Sequence, residues 1–251
     1  MSRAHHFFLT KTTLVLHEQI DLAEIHHQLQ VVLRLTAGEQ IVLLDNQGRA
    51  FLTEIVAVTR KTAVGHLLAE LPAPAAPAVE ITLYQCTLKA DKFEWVLQKG
   101  TELGVSRFVP VISQRSIVRP ADAVLKKYER WQAILREAAE QCGGGHIPRL
   151  APPLDWPVAL DHAQGLRLLA WEESARSALP VKQAVLSYAN SDQSAKKVSL
   201  LVGPEGGIAE EEARAAQAAG WETISLGPRI LRAETAALTS IVLTMTSFNE
   251  L

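Results

Sequence analysis

The chain has 251 residues, of which 48% are apolar and 21% charged, and its 25 Lys and Arg against 27 Asp and Glu give a net charge of −2. This composition is that of an ordinary globular protein, and it excludes collagen-like, disulfide-built and largely disordered classes. The balanced charge also excludes a strongly basic nucleic-acid-binding chain, although a local basic groove is compatible with it.

The cysteines and the chain start indicate a cytoplasmic protein. Cys86 and Cys142 lie far apart and form no CxxC pair, so they predict isolated free thiols in a reducing compartment rather than a zinc or redox site. The first residues, MSRAHHFFLTKTT, lack the apolar stretch of a secretion signal. The least polar later stretch, 235–249, is too short to span a bilayer.

The first part of the chain predicts a small β-barrel. Segments 40–45, 50–58 and 62–71 are rich in apolar and β-branched residues and are separated by short polar turns. Proline then recurs in LPAPAAPAV, residues 71–79, and denies continuity to both helix and sheet. We therefore expect a domain boundary there, with domains at 1–72 and 73–251.

Histidine pairs in this first part do not predict a metal site. His5 and His6 are adjacent in the sequence, as are His26 and His27. Adjacent side chains point apart on a helix and on a strand, so such pairs chelate poorly. We expect no metal.

The second part alternates predicted strands and helices. The predicted strands are 79–88, 105–112, 166–171 and 198–203, and the predicted helices are 92–103 and 126–142. The later strands are short and almost continuously apolar, as expected for strands buried on both faces of a parallel sheet. The alternation predicts an α/β domain.

A glycine-rich segment follows the strand predicted at 198–203. It reads Gly203-Pro204-Glu205-Gly206-Gly207 and precedes a helix with three glutamates, 210–212, in its first turn. Glycines at the carboxyl end of a strand let the main chain approach a ligand closely. There is no GxGxxG and no P-loop, and the acidic helix start disfavours a bound phosphate. Spacing alone leaves a plain turn and a ligand-binding loop both open.

A second such segment, 222–248, also runs from a strand through a glycine into a helix. Its apolar residues at helical spacing predict a stripe packed in the core: Leu238, Ile241, Val242, Met245 and Phe248. Arg229 and Arg232 stand with Glu234 where this helix begins. Because cations there oppose the helix dipole, we expect the arginines to face an anionic substrate or a partner.

Together these motifs resemble the ribosomal RNA small-subunit methyltransferase E family, in the knotted SPOUT superfamily of S-adenosylmethionine-dependent enzymes. The resemblance rests on GPEGG with its acidic helix, LGPRILRAETAAL (226–238), KFEWVLQKGTELGVSRFVPVISQRS (92–116) and REAAEQC (136–142). It covers nearly the whole chain. It implies a PUA-like β-barrel for RNA at 1–72 and an α/β domain with a trefoil knot near 166–248.

The resemblance also implies the activity, which is methylation of N3 of one uridine in 16S ribosomal RNA by a homodimer acting on the 30S subunit. S-adenosylmethionine would bind in the knot. The residues matched to its walls are Trp171, Val202, Gly203, Pro204, Glu205, Gly206, Leu226, Gly227, Ile230, Leu231, Ala233, Thr235 and Ala236.

Two residues are candidates for catalysis. N3 of uridine is a poor nucleophile until it loses its proton, and we expect Arg232 to stabilise the charge that develops. Glu205 is a candidate proton relay, with hydrogen bonding to amides of its own turn as the alternative role. The candidates for RNA phosphates are Arg3, Arg34, Arg115 and Arg119.

Some positions depart from the family pattern. Gly144 and His6 stand where many members carry arginine, which weakens the case for RNA contacts there. Ala209 replaces the usual serine or threonine at a helix start and is expected to forfeit a cap. The alternatives are another RNA methylation on this scaffold, on ribose 2′-O or tRNA guanine, and a non-catalytic RNA-binding factor in ribosome assembly.

Overall fold

The computed structural model describes residues 5–72, 77–118, 120–174, 178–190 and 196–251. The chain forms two compact units, one made of Met1–Ala76 and Arg136–Ile147 and the other of Pro77–Leu135 and Pro148–Leu251. The first unit is thus built from two separate stretches of sequence. The boundary predicted at residue 72 stays a prediction.

The first unit is a five-stranded sheet. Its strands are β1 (His6–Phe8), β2 (Gln19–Asp21), β3 (Gln40–Leu44), β4 (Ala50–Val58) and β5 (Ala63–Leu71), in the order β1-β3-β4-β5-β2. β1 pairs with β3 in parallel and the other pairs are antiparallel. A 3-10 turn (Ala23–Ile25) and a short π-helix (Gln28–Val32) follow β2. The three strands predicted from the sequence are confirmed.

The second unit alternates strands and helices. Its elements are β6 (Val79–Cys86), α1 (Ala90–Glu102), β7 (Arg107–Ile112), α2 (Ala121–Leu125), α3 (Tyr128–Cys142), β8 (Arg149–Leu150), β9 (Leu154–Asp155), α4 (Trp156–His162), β10 (Leu166–Ala170), β11 (Leu179–Pro180), α5 (Val181–Ala189), β12 (Lys196–Val202), α6 (Glu210–Ala218), β13 (Glu222–Ser225) and α7 (Ala233–Ser247). α3 contributes its last turns to the first unit. A 3-10 turn (Glu172–Ser174) follows β10.

The strands of the second unit form one parallel sheet. Their order is β11-β13-β10-β12-β6-β7-β8, with β9 also paired to β7, and every pair is parallel. The predicted α/β class is therefore confirmed. All carboxyl ends lie at one edge, where open α/β sheets usually bind ligands.

Helix α1 packs as its periodicity predicts. Phe93, Val96 and Leu97 are buried, and the Phe93 ring stacks on Trp131 with 4.3 Å between centroids. The helix ends at Gly104, whose φ of +88° is the left-handed conformation that glycine adopts without strain. Cys86 lies fully buried in β6, and that burial raises the pKa of its thiol to about 12. The thiol therefore stays protonated and is not a nucleophile.

The core stripe predicted on α7 is partly wrong. Ile241 and Met245 are buried, but Val242 is exposed and Leu238 and Phe248 are only partly buried. The buried face of α7 does not coincide with the predicted apolar stripe, because it includes residues with small hydroxyl side chains.

Ser240 and Thr244 lie on the buried face of α7. The Ser240 hydroxyl donates to the Ala236 carbonyl and the Thr244 hydroxyl to the Ser240 carbonyl, both at 2.8 Å. A hydroxyl that bonds within its own helix carries no unpaired donor into the core, and small side chains allow close packing. Because serine and threonine are polar, the spacing of apolar residues does not predict that they are buried.

Serine at position 209 is expected to stabilise the protein. Ala209 is the N-cap of α6 and makes no side-chain cap bond, while Glu212 Oε2 accepts only the Ala209 N–H, at 3.3 Å. Serine would complete the capping box, and we expect Ala209→Ser to add about 1 kcal/mol and to raise Tm by about 2–4 °C in a thermal melt. Ala219→Ser, at the other end of α6, is the control and should give no gain. An unchanged or lower Tm in Ala209→Ser would contradict the cap.

The described ranges hold neither a membrane-spanning helix nor a cluster of metal-ligating side chains. No helix there is both long enough and apolar enough to cross a membrane. Within the same ranges, no three histidine, cysteine or acidic side chains are grouped as ligands for a metal ion.

Candidate functional site

Three loops leave the parallel sheet side by side. Ala170, the last residue of β10, lies opposite Val202 of β12 on one side and Ile224 of β13 on the other. The loops that follow these strands therefore begin at almost the same level of the sheet edge. Main-chain groups from three neighbouring strands are thereby brought into one crevice.

The residues matched to the cofactor lie on these loops or directly beside them. Trp171 follows β10, and Val202 ends β12 and leads into the loop 203–206. Leu226, Gly227, Ile230 and Leu231 belong to the loop after β13. Ala233, Thr235 and Ala236 form the first turn of α7. Their role in binding stays a prediction.

The loop after β12 is closely packed: a side chain at Gly203 would clash, and one at Gly206 would make a tight contact. A Cβ added to Gly203 would lie 2.7 Å from Ile208 Cγ1, and one added to Gly206 would lie 3.2 Å from Arg115 Cβ. Gly203 and Pro204 are buried. The glycines therefore keep the main chain against its neighbours at the end of the strand.

The loop after β13 is open by contrast. Gly227 has φ +115°, and a Cβ added to it would meet no described atom within 4 Å. Ile230 is 84% exposed. An open main chain next to an exposed apolar side chain is a surface that a partly apolar ligand can cover.

Gln85 holds the end of β12, and sequence reasoning missed it. This residue of β6 is 1% exposed, and its Nε2 donates to the carbonyls of Val202, Gly203 and Cys86 at 3.4, 3.3 and 3.1 Å. Its Oε1 is buried with no hydrogen-bond partner among the described residues. The sequence does show a glutamine within a predicted strand of a parallel sheet. A side-chain amide buried there needs hydrogen-bond partners, which marks the residue as a candidate.

Glu205 bonds to a different loop from the one expected. Its Oε1 accepts the backbone N–H of Lys89, after β6, at 3.2 Å, and lies 3.4 Å from the Lys92 ammonium. The alternative of bonds to amides of its own turn is therefore wrong, because the donors come from the N-cap and the first turn of α1. Lys92 Nζ also lies 3.9 Å from Glu234 Oε1 in the first turn of α7.

Both glutamates keep one oxygen without a donor. Oε2 of Glu205 and Oε2 of Glu234 are buried and have no hydrogen-bond partner in the described part of the chain. A buried carboxylate oxygen without a donor is costly. A ligand with N–H or O–H groups could supply the missing bonds.

Arg232 is exposed at the N-cap of α7. Its carbonyl accepts the Ala236 N–H at 2.8 Å, as an N-cap carbonyl should. Its guanidinium has no hydrogen-bond or ion-pair partner among the residues that the structure describes. The side chain therefore does little for the fold and is available to a substrate, and Arg229 is exposed in the same loop.

The RNA-contact candidates are placed differently from one another. Arg115 is exposed and its Nη1 donates to the Gly206 carbonyl at 3.3 Å, which puts it at the loop after β12. Arg34 is exposed in the first unit, with a left-handed φ of +56°. Arg3 and Arg119 lie outside the described residues.

Comparison with known proteins identifies the family. A model described as an RNA methyltransferase domain matches residues 75–245, and one described as an RNA methyltransferase PUA domain matches residues 21–68. The ribosomal RNA small subunit methyltransferase E of Bacillus subtilis is 35% identical over 229 residues, covering 86% of this chain and 84% of its own. This chain belongs to the ribosomal RNA small subunit methyltransferase E family.

Solved structures agree with this family assignment. A ribosomal RNA small subunit methyltransferase E from Neisseria gonorrhoeae, solved with S-adenosyl methionine, has a TM-score of 0.84 at 31% identity and covers 97% of this chain and 98% of its own. A protein from Legionella pneumophila, solved with its bound cofactor SAM, has a TM-score of 0.85 at 30% identity over the same shares of both chains. The family resemblance, the α/β class and the PUA-like N-terminal domain are thus confirmed.

Proposed function

We propose that this family member methylates N3 of one uridine in 16S ribosomal RNA, with S-adenosylmethionine as methyl donor. The observation that carries the proposal is the alignment of three loops at one sheet edge, because two of these loops hold GPEGG and the start of LGPRILRAETAAL, on which the family resemblance rests. Relatives that are similar over nearly the whole chain were solved with this cofactor.

The residues present fit such a cofactor. The main chain at Gly227 is open, and Ile230 offers apolar surface for a purine ring. Glu205 and Glu234 each offer one buried acceptor that still lacks a donor, which suits the hydroxyl and ammonium groups of the ligand. When bound, S-adenosylmethionine supplies a methyl group on a cationic sulfur.

The side chains around this crevice suit the chemistry of uridine N3. Arg232 carries a permanent positive charge on a guanidinium that has no partner among the described residues, so it can stabilise the uridine anion as the N3 proton leaves. Glu205 lies on the loop after β12, and its Oε2, which has no donor among the described residues, is an acceptor for that proton. Both roles belong to the proposal.

The strand order supports the proposed trefoil knot near 166–248. β10 lies between β12 and β13, yet α7, which follows β13, packs against β12 and β6. The segment 226–232 therefore has to pass the carboxyl end of β10 on its way back. Knots are rare in proteins. A trefoil knot requires the chain to return in this way, so the path of 226–232 supports the proposal.

Exposed apolar residues support the proposed homodimer. α5 and α7 pack against each other, and Leu186 and Val242 on these two helices are exposed in the single chain. A second copy would bury them. We expect light scattering with size exclusion to give twice the mass of one chain.

The first unit is proposed to hold the RNA through phosphate contacts. Replacing Arg34 with alanine should flatten the slope of log K against log salt by about 0.7–0.9, the amount expected for one lost phosphate contact. Arg60→Ala, another exposed cation of this unit, is the control and should leave the slope unchanged. Binding of 16S RNA followed by anisotropy across a salt series measures both, and an unchanged slope in Arg34→Ala would remove this contact.

The methylated nucleoside is the direct test of the activity. Purified protein, S-adenosylmethionine and either 30S subunits or naked 16S RNA from an unmethylated strain are incubated, and the nucleosides are identified by mass spectrometry. We expect 3-methyluridine, formed on 30S subunits. A ribose 2′-O-methyl nucleoside in the 16S RNA, or a methylguanosine in tRNA incubated with the protein in a parallel reaction, would replace the proposal with another RNA methylation. Absence of any product would favour an assembly factor.

A further inference from the structure

Three charged side chains meet where the loop after β12 faces the first turn of α7. Lys92 of α1 places its ammonium 3.4 Å from Glu205 Oε1 and 3.9 Å from Glu234 Oε1. We name Lys92, Glu205 and Glu234 the carboxylate–lysine cluster. Each glutamate stands between residues matched to the cofactor: Glu205 between Pro204 and Gly206, and Glu234 between Ala233 and Thr235.

The carboxylate–lysine cluster carries one net negative charge that is largely shielded from water. It has two carboxylates and one ammonium, so one negative charge is not compensated within the cluster. The side chains of Glu205 and Glu234 are only 18% and 15% exposed, and one oxygen of each is buried without a donor. Charge in such a place acts on a neighbouring ligand more strongly than charge in solvent does.

We propose that the carboxylate–lysine cluster makes the enzyme prefer its cationic methyl donor over the neutral by-product. The inference rests on the proposed function. In the transfer, the N3 lone pair of the deprotonated uridine forms the new bond to the methyl carbon, and the pair of the breaking carbon–sulfur bond stays on sulfur. The sulfonium thereby becomes a neutral thioether, and the ligand's net charge falls from one positive to zero. A site with net negative charge attracts the cationic methyl donor, but it has no such attraction for the neutral by-product.

Other charges near these loops do not replace the cluster. The other charged side chains on and beside these loops are exposed, so solvent and salt screen them; they are Lys89, Arg115, Glu172, Glu173, Arg229 and Arg232. They are also unchanged in every variant below. Their contribution therefore cancels when the ratio of the two affinities in a variant is compared with the same ratio in the wild-type protein.

The test is the ratio of two dissociation constants, that of S-adenosylhomocysteine over that of S-adenosylmethionine, measured by calorimetry at pH 8. Glu234→Gln makes the cluster neutral and should lower the ratio about fivefold, whereas Lys92→Met leaves two net negative charges and should raise it about fivefold. Lys92→Arg keeps the charge and should keep the wild-type ratio. A purely structural role would weaken both ligands equally and leave the ratio unchanged.

Lys197→Met is the matched control. Lys197 also lies 3.9 Å from a glutamate, Glu80, but near the amino end of β12, away from the crevice, so its loss should not move the ratio. Ratios that fail to shift in opposite directions in Glu234→Gln and Lys92→Met would overturn the inference and leave the proposed function standing. Failure of wild-type protein to bind either ligand would overturn both.

Discussion

Replacing Arg232 with alanine is expected to lower kcat for RNA methylation by about 100- to 1,000-fold, the range seen when one donor that stabilises a developing negative charge is removed. The dissociation constant of S-adenosylmethionine and the Tm should stay close to wild type. The reason is that Arg232 is exposed and its guanidinium bonds to none of the described residues, so its loss leaves the loop and helix contacts in place.

Steady-state methylation of 30S subunits, calorimetry and a thermal melt together check this prediction. Arg214→Ala is the matched control, since Arg214 is an equally exposed arginine whose ion pair to Glu210 lies within α6, and its kcat should not change. Arg232→Lys should recover part of the rate because it restores the charge without the planar guanidinium. A near wild-type kcat in Arg232→Ala would remove the assigned role.

Replacing Gln85 with leucine is expected to weaken binding of S-adenosylmethionine by about tenfold or more and to lower Tm by several degrees. Leucine is close in size but cannot donate, so the buried carbonyls of Val202 and Gly203 lose their donor from β6. A buried carbonyl without a donor costs about 1–3 kcal/mol. The chain at the end of β12 would then shift to recover hydrogen bonds, and the loop 203–206 would shift with it.

Ser199→Ala separates a general loss of stability from a loss at the site. Ser199 is another buried polar residue of the same sheet, but its hydroxyl donates to the Gln164 carbonyl at 2.8 Å, near the amino end of β12. Both variants should lower Tm, and only Gln85→Leu should weaken ligand binding. Unchanged affinity in Gln85→Leu would show that the Gln85 amide does not position the loop.

Much of the fold follows from local sequence signals. The strands at 166–170 and 196–202 contain the almost continuous apolar runs that a buried parallel sheet requires, and the structure confirms both as strands. The two glycine segments were also found, because glycine at a strand end marks close approach of the main chain. In each case the signal lies within a few neighbouring residues.

The features that escaped prediction depend on contacts between distant parts of the chain. The role of Gln85 depends on its bonds to Val202 and Gly203, which are more than a hundred positions away in the sequence. The link of Lys92 to Glu205 joins α1 to the loop after β12 in the same way. The buried face of α7 was misassigned because hydroxyls bonded within the helix pack as small apolar groups do. The grouping of Arg136–Ile147 with the first unit has no local signal either.

A crystal structure of this protein with S-adenosylmethionine tests the central claim most directly. We predict that the adenosine lies at the carboxyl edge of β10, β12 and β13, with hydrogen bonds chiefly to main-chain atoms of 203–206 and 226–233. Cofactor density bound elsewhere, or held there mainly by side chains with these two loops at a distance, would contradict the account.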